Sequence, residues 1–267
     1  MKKITFVALS LILIGLIFYS CKKEDNAVVV DNAKVTSIAK TIGMFNTDNF
    51  DQLATDFKST QCHCLNIIPV ENEDGEHWPF KLIFDFGEEN CEFLDGIFMR
   101  GKIHFSLSDI WTNEGSVKIF EFEDYYINDI NLYGKKTFTN TGYNEEQHLT
   151  WQIDIEGAGI KDTVGNEKTW NATLYAEFIE GSFKNTKCHY SYIITGSGNG
   201  TDNGVSYTAE ITEPLLFEFG CWYPKSGVMT IEIGGQTVVI DYGEGECDNK
   251  ATMHIGDGEP EEITLGF

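Results

Sequence analysis

Two short acidic motifs contain the residues of this chain that are best suited to chemistry. Each motif has an aspartate, an aromatic residue, a glycine and two glutamates, with the acids at Asp85, Glu88 and Glu89 and at Asp241, Glu244 and Glu246. Paired carboxylates can perform glycoside hydrolysis, but the acid and the nucleophile then need environments that separate their pKa values. These two aspartates recur in the same turn context. We therefore predict that both bond to backbone groups at strand ends, and we assign no catalytic residue.

The chain lacks the sequence motifs that are typical of metal sites and of nucleotide-binding sites. Cys62-His63-Cys64 precedes His77, but the short spacing of zinc-binding cysteine pairs is absent. The acidic residues of 241–248 do not follow the spacing of a calcium-binding EF-hand loop. The motifs of serine hydrolases, zinc proteases and phosphate-binding loops are also missing. We expect neither a metal site nor a cofactor.

Two tryptophans fall in predicted loops and are the candidate ligand-binding residues. Trp78 follows Glu76 and His77, and Trp111 lies close to Asn113. A tryptophan in a loop can offer its flat face to a ligand such as a sugar. The alternative for each is a ring that folds back to cap the sheet.

The periodicity of the chain predicts a mainly-β fold. From Leu65 onward apolar and polar residues alternate, and glycine-containing turn signals separate the runs. This pattern indicates about a dozen antiparallel strands in a meander that closes as a sandwich or a barrel-like domain. In 33–58 the apolar residues recur every three to four positions, which predicts short amphipathic helices. We treat 33–267 as one mainly-β domain.

The first twenty residues have the pattern of a secretory signal. Lys2 and Lys3 precede an apolar run of 16 residues, Ile4 to Tyr19, which is short for a membrane span. The junction Phe18-Tyr19-Ser20-Cys21 resembles the lipobox of bacterial lipoproteins. The resemblance implies cleavage after residue 20 and lipidation of Cys21. The residues that follow are mostly polar and unperiodic, which predicts a tether over 21–32.

The residues that follow Cys21 resemble sorting signals of lipoproteins. Lys22 stands where lipoproteins retained at the inner membrane have aspartate, so the chain is similar to those of the outer membrane. Cys21-Lys22-Lys23-Glu24-Asp25 is similar to the signal by which one Gram-negative phylum displays lipoproteins on its outer face. The resemblance implies a lipid-anchored, outer-membrane protein exposed at the cell surface, with the periplasmic face as the alternative.

The cysteines show an internal repeat. Cys64 to Cys91 and Cys221 to Cys247 span similar lengths and end in similar acidic motifs, giving repeat units near 64–105 and 221–265. A hairpin folded about Gly234-Gly235 places Cys247 opposite Trp222, one position from Cys221. In an oxidising compartment the six cysteines other than Cys21 are expected to form disulfides. We predict three bridges, of which the last is the remaining pair: Cys64–Cys91, Cys221–Cys247 and Cys62–Cys188.

Several stretches resemble a family of uncharacterised secreted lipoproteins. They include Ile83-Phe84-Asp85-Phe86-Gly87, Gly196-Ser197-Gly198-Asn199-Gly200-Thr201 and the ending Asp241-Tyr242-Gly243 with Cys247-Asp248-Asn249. The resemblance implies secretion and an all-β fold, and it brings no assigned activity.

The charge balance limits the partners of the chain. A net charge of −23 repels phosphate backbones and anionic lipid headgroups, which disfavours nucleic-acid binding. The expected contact with a membrane is therefore the N-terminal lipid. We expect a ligand-binding or structural β domain with a glycan or protein ligand. A surface hydrolase of the glycoside hydrolase type, with dispersed carboxylates, is the alternative.

Overall fold

A computed structural model describes residues 65–94, 96–181, 190–221 and 223–265. The predicted signal, tether and helices, together with Cys21, Cys62, Cys64 and Cys188, lie outside these ranges. The described residues form fourteen strands and no helix. The strands are β1 (Asn66–Pro69), β2 (Phe80–Asp85), β3 (Cys91–Leu94), β4 (Ile97–Leu107), β5 (Val117–Ile127), β6 (Ile130–Tyr143), β7 (Leu149–Lys161), β8 (Glu167–Gly181), β9 (Tyr190–Asp202), β10 (Val205–Glu218), β11 (Ser226–Ile233), β12 (Gln236–Glu244), β13 (Lys250–Ile255) and β14 (Glu261–Thr264).

All of the strands belong to one antiparallel sheet that follows the chain as a meander. Each strand pairs with the next one, except that β2 and β3 both pair with β4, β2 along 102–107 and β3 along 97–99. The predicted antiparallel meander is therefore confirmed. The barrel-like alternative is wrong, because the pairing path ends at β1 and β14 and the sheet is not closed into a barrel. Alternation predicts which face is apolar, but not the summed curvature that decides closure.

The hairpin between β11 and β12 keeps the predicted register from its turn to the pair Val228–Asp241, and a register shift then pairs Ser226 with Glu244. Gly234 and Gly235 form a two-residue turn with φ of 58° and 79°, so that Ile233 pairs with Gln236. Positive φ at both central residues is the requirement of the tight turn that matches strand twist, and glycine meets it without strain. The local turn chemistry therefore fixes which residues of these two strands face each other between the turn and the shift at Ser226.

One face of the sheet carries the hydrophobic core. Its buried side chains alternate along the strands, as at Leu149, Trp151, Ile153 and Ile155 of β7. The opposite face of the same strand carries polar residues. We call the first the core face and the second the outer face.

Three glycines of β9 interrupt the side chains of the core face. Gly196, Gly198 and Gly200 pair with Leu174, Ala172 and Trp170 of β8, and with Ile211, Ala209 and Tyr207 of β10. Tyr207 leans over this glycine row, and its hydroxyl donates a hydrogen bond to the Thr169 carbonyl at 3.3 Å. A small apolar cavity of about 40 Å³ remains above the row.

Candidate functional site

A disulfide closes the open end of the β11–β12 hairpin. Cys221 and Cys247 are bonded, with their Cα atoms 5.6 Å apart, as the hairpin register predicts. Cys91 is also disulfide-bonded. Cys62, Cys64 and Cys188 lie outside the described residues, so the pairs Cys64–Cys91 and Cys62–Cys188 stay predictions.

The two acidic motifs form matching turns. The Asp85 carboxylate accepts a hydrogen bond from the Gly87 amide at 2.9 Å, and the Asp241 carboxylate accepts one from the Gly243 amide at 2.8 Å. The aromatic residue between them is buried in both copies, as Phe86 and as Tyr242. The predicted backbone bonding of both aspartates is confirmed. They belong to β2 and β12, near opposite ends of the pairing order.

The structure places the two candidate tryptophans in separate loops. Trp111, between β4 and β5, is half-buried and stacks on Trp151 with ring centres 5.7 Å apart and planes at 22°. Its carbonyl accepts hydrogen bonds from Ser116 and Asn140 at 3.0 and 2.9 Å. Trp78, between β1 and β2, is half-buried with the His77 ring against it in an edge contact. The Trp111 ring packs on the core, and ligand binding by either tryptophan stays a prediction.

The outer face carries an exposed aromatic residue that is not one of the two predicted loop tryptophans. Tyr175 of β8 is 50% exposed. Its cross-strand neighbours are Gln152 of β7 and Thr195 of β9. The alternation of Trp170, Leu174 and Ala176 toward the core already puts Tyr175 on the opposite face. That signal could have identified Tyr175 from the sequence.

Hydrogen-bonding groups surround Tyr175. Asp154 of β7 accepts hydrogen bonds from the Gln152 amide at 2.8 Å and from the Thr173 hydroxyl at 3.0 Å. Thr173 pairs with Ser197 of β9. We call this surface the Tyr175 face, and it consists of Gln152, Asp154, Thr173, Tyr175, Thr195 and Ser197. A flat ring bordered by fixed amide, hydroxyl and carboxylate groups can stack on a ligand and bond to its polar edge.

A histidine and a glutamate lie beside the Tyr175 face. His148 Nδ1 is 2.7 Å from Glu177 Oε1, and the Asn144 amide donates to the same oxygen at 3.0 Å. The hydrogen bond from His148 holds the pKa of Glu177 below its usual value, and the Asn144 bond acts in the same direction. A general acid needs a raised pKa, so Glu177 is poorly suited to that role.

The strand positions of Asp154 and Glu177 do not make them cross-strand neighbours. Asp154 pairs with Thr173, which precedes Glu177 by four residues on β8. Four residues of strand separate the backbones of this pair by about 13 Å. The cross-strand partner of Asp154 is therefore Thr173 and not Glu177.

Other carboxyl groups show the same direction of pKa shift. Side-chain hydrogen bonds lower the pKa of Asp109 through Asn113, of Glu123 through Lys102, of Asp129 through Asn90 and of Asp162 through Asn166. Each shift favours the ionised form, so these groups are poor proton donors near neutral pH. In the four described ranges, no group of three or more His, Cys, Asp or Glu residues could hold a metal ion.

Comparison of the chain with protein-family models, with curated proteins and with solved structures finds no match in any of the three. Among the described residues, no helix has both the length and the apolar character needed to cross a membrane.

Proposed function

We propose that this chain is a lipid-anchored outer-membrane lipoprotein, exposed at the cell surface, whose β domain binds a ligand through the Tyr175 face. The resemblance of Phe18-Tyr19-Ser20-Cys21 to a lipobox supports the anchor. The Cys221–Cys247 disulfide supports an oxidising compartment outside the cytoplasm. Residues 22–25 support display on the outer face, and the periplasmic face is the alternative.

The exposed ring of Tyr175 within a polar sheet surface is the observation that carries the proposed binding function. Interfaces between proteins place several aromatic and apolar residues in a desolvated centre. On the Tyr175 face a single aromatic ring is bordered by amide, hydroxyl and carboxylate groups instead. This arrangement suits a glycan, which offers both an apolar ring face and many hydroxyl groups.

The charge of the chain narrows the class of glycan. A net charge of −23 disfavours anionic ligands in general. The carboxylate of Asp154 adds a negative group on the Tyr175 face itself. We therefore propose a neutral or cationic glycan, and a protein ligand is the second candidate.

A surface hydrolase remains the alternative function. Its support is the large number of carboxylates, 42 Asp and Glu residues in all. Against it, the carboxyl groups whose pKa is shifted in the described ranges all have a lowered pKa, as Glu177 does. Release of soluble sugars from a retained glycan would favour the hydrolase, and intact recovery of the glycan would favour the binding module.

Substitution of Tyr175 tests the binding site. Retention of the mature chain is measured on an array of neutral, cationic and acidic glycans, and affinity is then measured for the retained ones. We expect Tyr175→Ala to weaken binding about tenfold, because a lost stacking contact is worth about 1 kcal/mol and the flanking hydrogen bonds lose their alignment.

Tyr143 provides a matched control for that experiment. It is 62% exposed at the end of β6, away from the pairing row of Tyr175. Tyr143→Ala should bind like the wild type, and all variants should keep the same circular dichroism. Unchanged binding by Tyr175→Ala would contradict the proposed site. Loss of binding in Trp78→Ala or Trp111→Ala alone would place the ligand at those loops instead.

A further inference from the structure

The core face of the sheet is covered unevenly at its two ends. Along one row of paired residues, the exposed fraction rises from 0% at Ile103 in β4 to 8% at Phe84 in β2 and 44% at Ile67 in β1. At the other end of the sheet, Ile263 of β14 is only 6% exposed. The core is therefore closed at β14 and open to solvent at β1.

The open end forms an apolar surface of four residues. Phe80 of β2 lies on the same face as Ile67 and is 36% exposed. Leu82 of β2 and its partner Phe105 of β4 are half-buried beside it. We call Ile67, Phe80, Leu82 and Phe105 the β1 patch. An apolar patch that continues the core is unfavourable when water covers it. Burial of its apolar area against another surface would therefore stabilise the protein.

The residues just before β1 have the pattern needed to cover this patch. In 33–58 the apolar residues recur at helical spacing in two runs, which are Val35, Ile38, Ile42 and Phe45, and then Phe50, Leu53 and Phe57. A helix with this pattern has an apolar stripe that requires a partner surface. Residue 58 is eight residues from Asn66, so the chain between them spans at most about 29 Å. The connection is therefore short enough for this segment to reach the β1 patch.

We propose that the β1 patch is the docking site for residues 33–58 of the same chain. The apolar stripe of the segment completes the core over Ile67 and Phe80. A second copy of the chain is the competing occupant, but the short connection to β1 gives the segment a high effective concentration at the patch. This inference does not depend on the proposed ligand or on the lipid anchor.

Photo-crosslinking in the full mature chain tests the docking. A benzophenone amino acid replaces Ile67 in one sample and Ile68 in another. Ile68 pairs with Ile83 on the outer face and is 36% exposed, so it is a control of similar exposure on the opposite side of the same strand. We expect crosslinks from position 67 to peptides of 33–58, and none to these peptides from position 68.

Mixed light and isotope-labelled chains identify the occupant of the β1 patch. Crosslinks within one chain support the proposal. Crosslinks from position 67 to a second chain, or crosslinks to 33–58 at equal yield from both positions, would overturn it.

Hydrogen exchange gives an independent measurement. Ile67→Asp should release residues 33–58 and make their amides exchange about tenfold faster, whereas Ile68→Asp should leave their exchange unchanged. Exchange in β11 and β12 verifies that both variants are folded. Equal exchange of 33–58 in the wild type and in folded Ile67→Asp would also overturn the proposal.

Discussion

Asp85 and Asp241 show that a repeated acidic residue can have a structural role in a turn instead of a catalytic role. Each carboxylate accepts a hydrogen bond from the amide of the glycine two residues later, with Gly87 and Gly243 at φ of 82° and 90°. Glycine tolerates this conformation, and the aspartate satisfies the amide that the sheet no longer pairs. The buried Phe86 and Tyr242 are thereby held toward the core. The similar geometry of the two turns gives the repeated residues the same structural role in both copies.

Substitution of Asp241 should lower the stability of the chain. Asp241→Ala removes the acceptor of the Gly243 amide, and we expect a loss of about 1 kcal/mol in the free energy of unfolding, measured with urea. Asp241→Asn retains an oxygen acceptor and should cost less. Glu244→Ala removes a neighbouring exposed carboxylate and serves as the control for charge. A cost for Glu244→Ala equal to that of Asp241→Ala would show that charge, and not the turn bond, is responsible.

At the scale of elements, β9 is constrained by the backbones of its neighbours. A Cβ atom at Gly198 would lie 2.7 Å from the Asn171 carbonyl oxygen, and one at Gly200 would lie 1.9 Å from the Thr169 carbonyl oxygen. These contacts involve main-chain atoms of β8, which cannot rotate away as a flexible side chain can. The glycines therefore permit the close approach of β8 and β9 on the core face.

Gly198→Ala tests this close approach. We expect it to destabilise the chain by about 2 kcal/mol or more, because the added methyl forces the backbones apart. Asn199→Ala lies on the outer face of the same strand and should change stability by less than about 0.5 kcal/mol. Thermal or urea unfolding measures both. A Gly198→Ala variant as stable as Asn199→Ala would mean that the sheet relaxes around the methyl group.

The elements also show which features were predictable from the sequence. Gly234-Gly235 and the alternation around it are local signals, and they predict the register of β11 and β12 and hence the Cys221–Cys247 bridge. Closure of the sheet is not local, because it depends on twist and on bulges such as the one between Ile155 and Ala158. The sequence predicts that Tyr175 faces away from Leu174. The residues of β7 and β9 that surround it are known only from the pairing of the strands.

At the scale of the whole molecule, the proposed anchor restricts how the domain meets its surroundings. If the proposed docking of residues 33–58 and the proposed lipid anchor both hold, residues 21–32 connect the lipid to the domain, and twelve extended residues span at most about 43 Å. The outer face of β7 to β9 lies several strands away along the pairing order.

Labelling and protease treatment of intact cells test the anchor and its location. We expect palmitate to label the wild type but not Cys21→Ala, because the acyl chains are attached at that cysteine. External protease should release the domain of the labelled protein from intact cells. Protection of the labelled domain would place it on the periplasmic face. Label and membrane attachment retained in Cys21→Ala would contradict the lipoprotein assignment.

The open sheet has two different edge strands, β1 and β14, and their residues affect whether copies of the chain can pair edge to edge. Within the described residues, β1 and β14 each pair on one side only. If β14 of one molecule pairs with β1 of the next, the contact is head to tail. A head-to-tail contact of this kind can continue into a filament. β14 carries Glu261 and Glu262, and Pro69 ends the short β1 and lacks an amide donor. Acidic charge at one edge and proline at the other therefore oppose polymerisation where many copies share one surface.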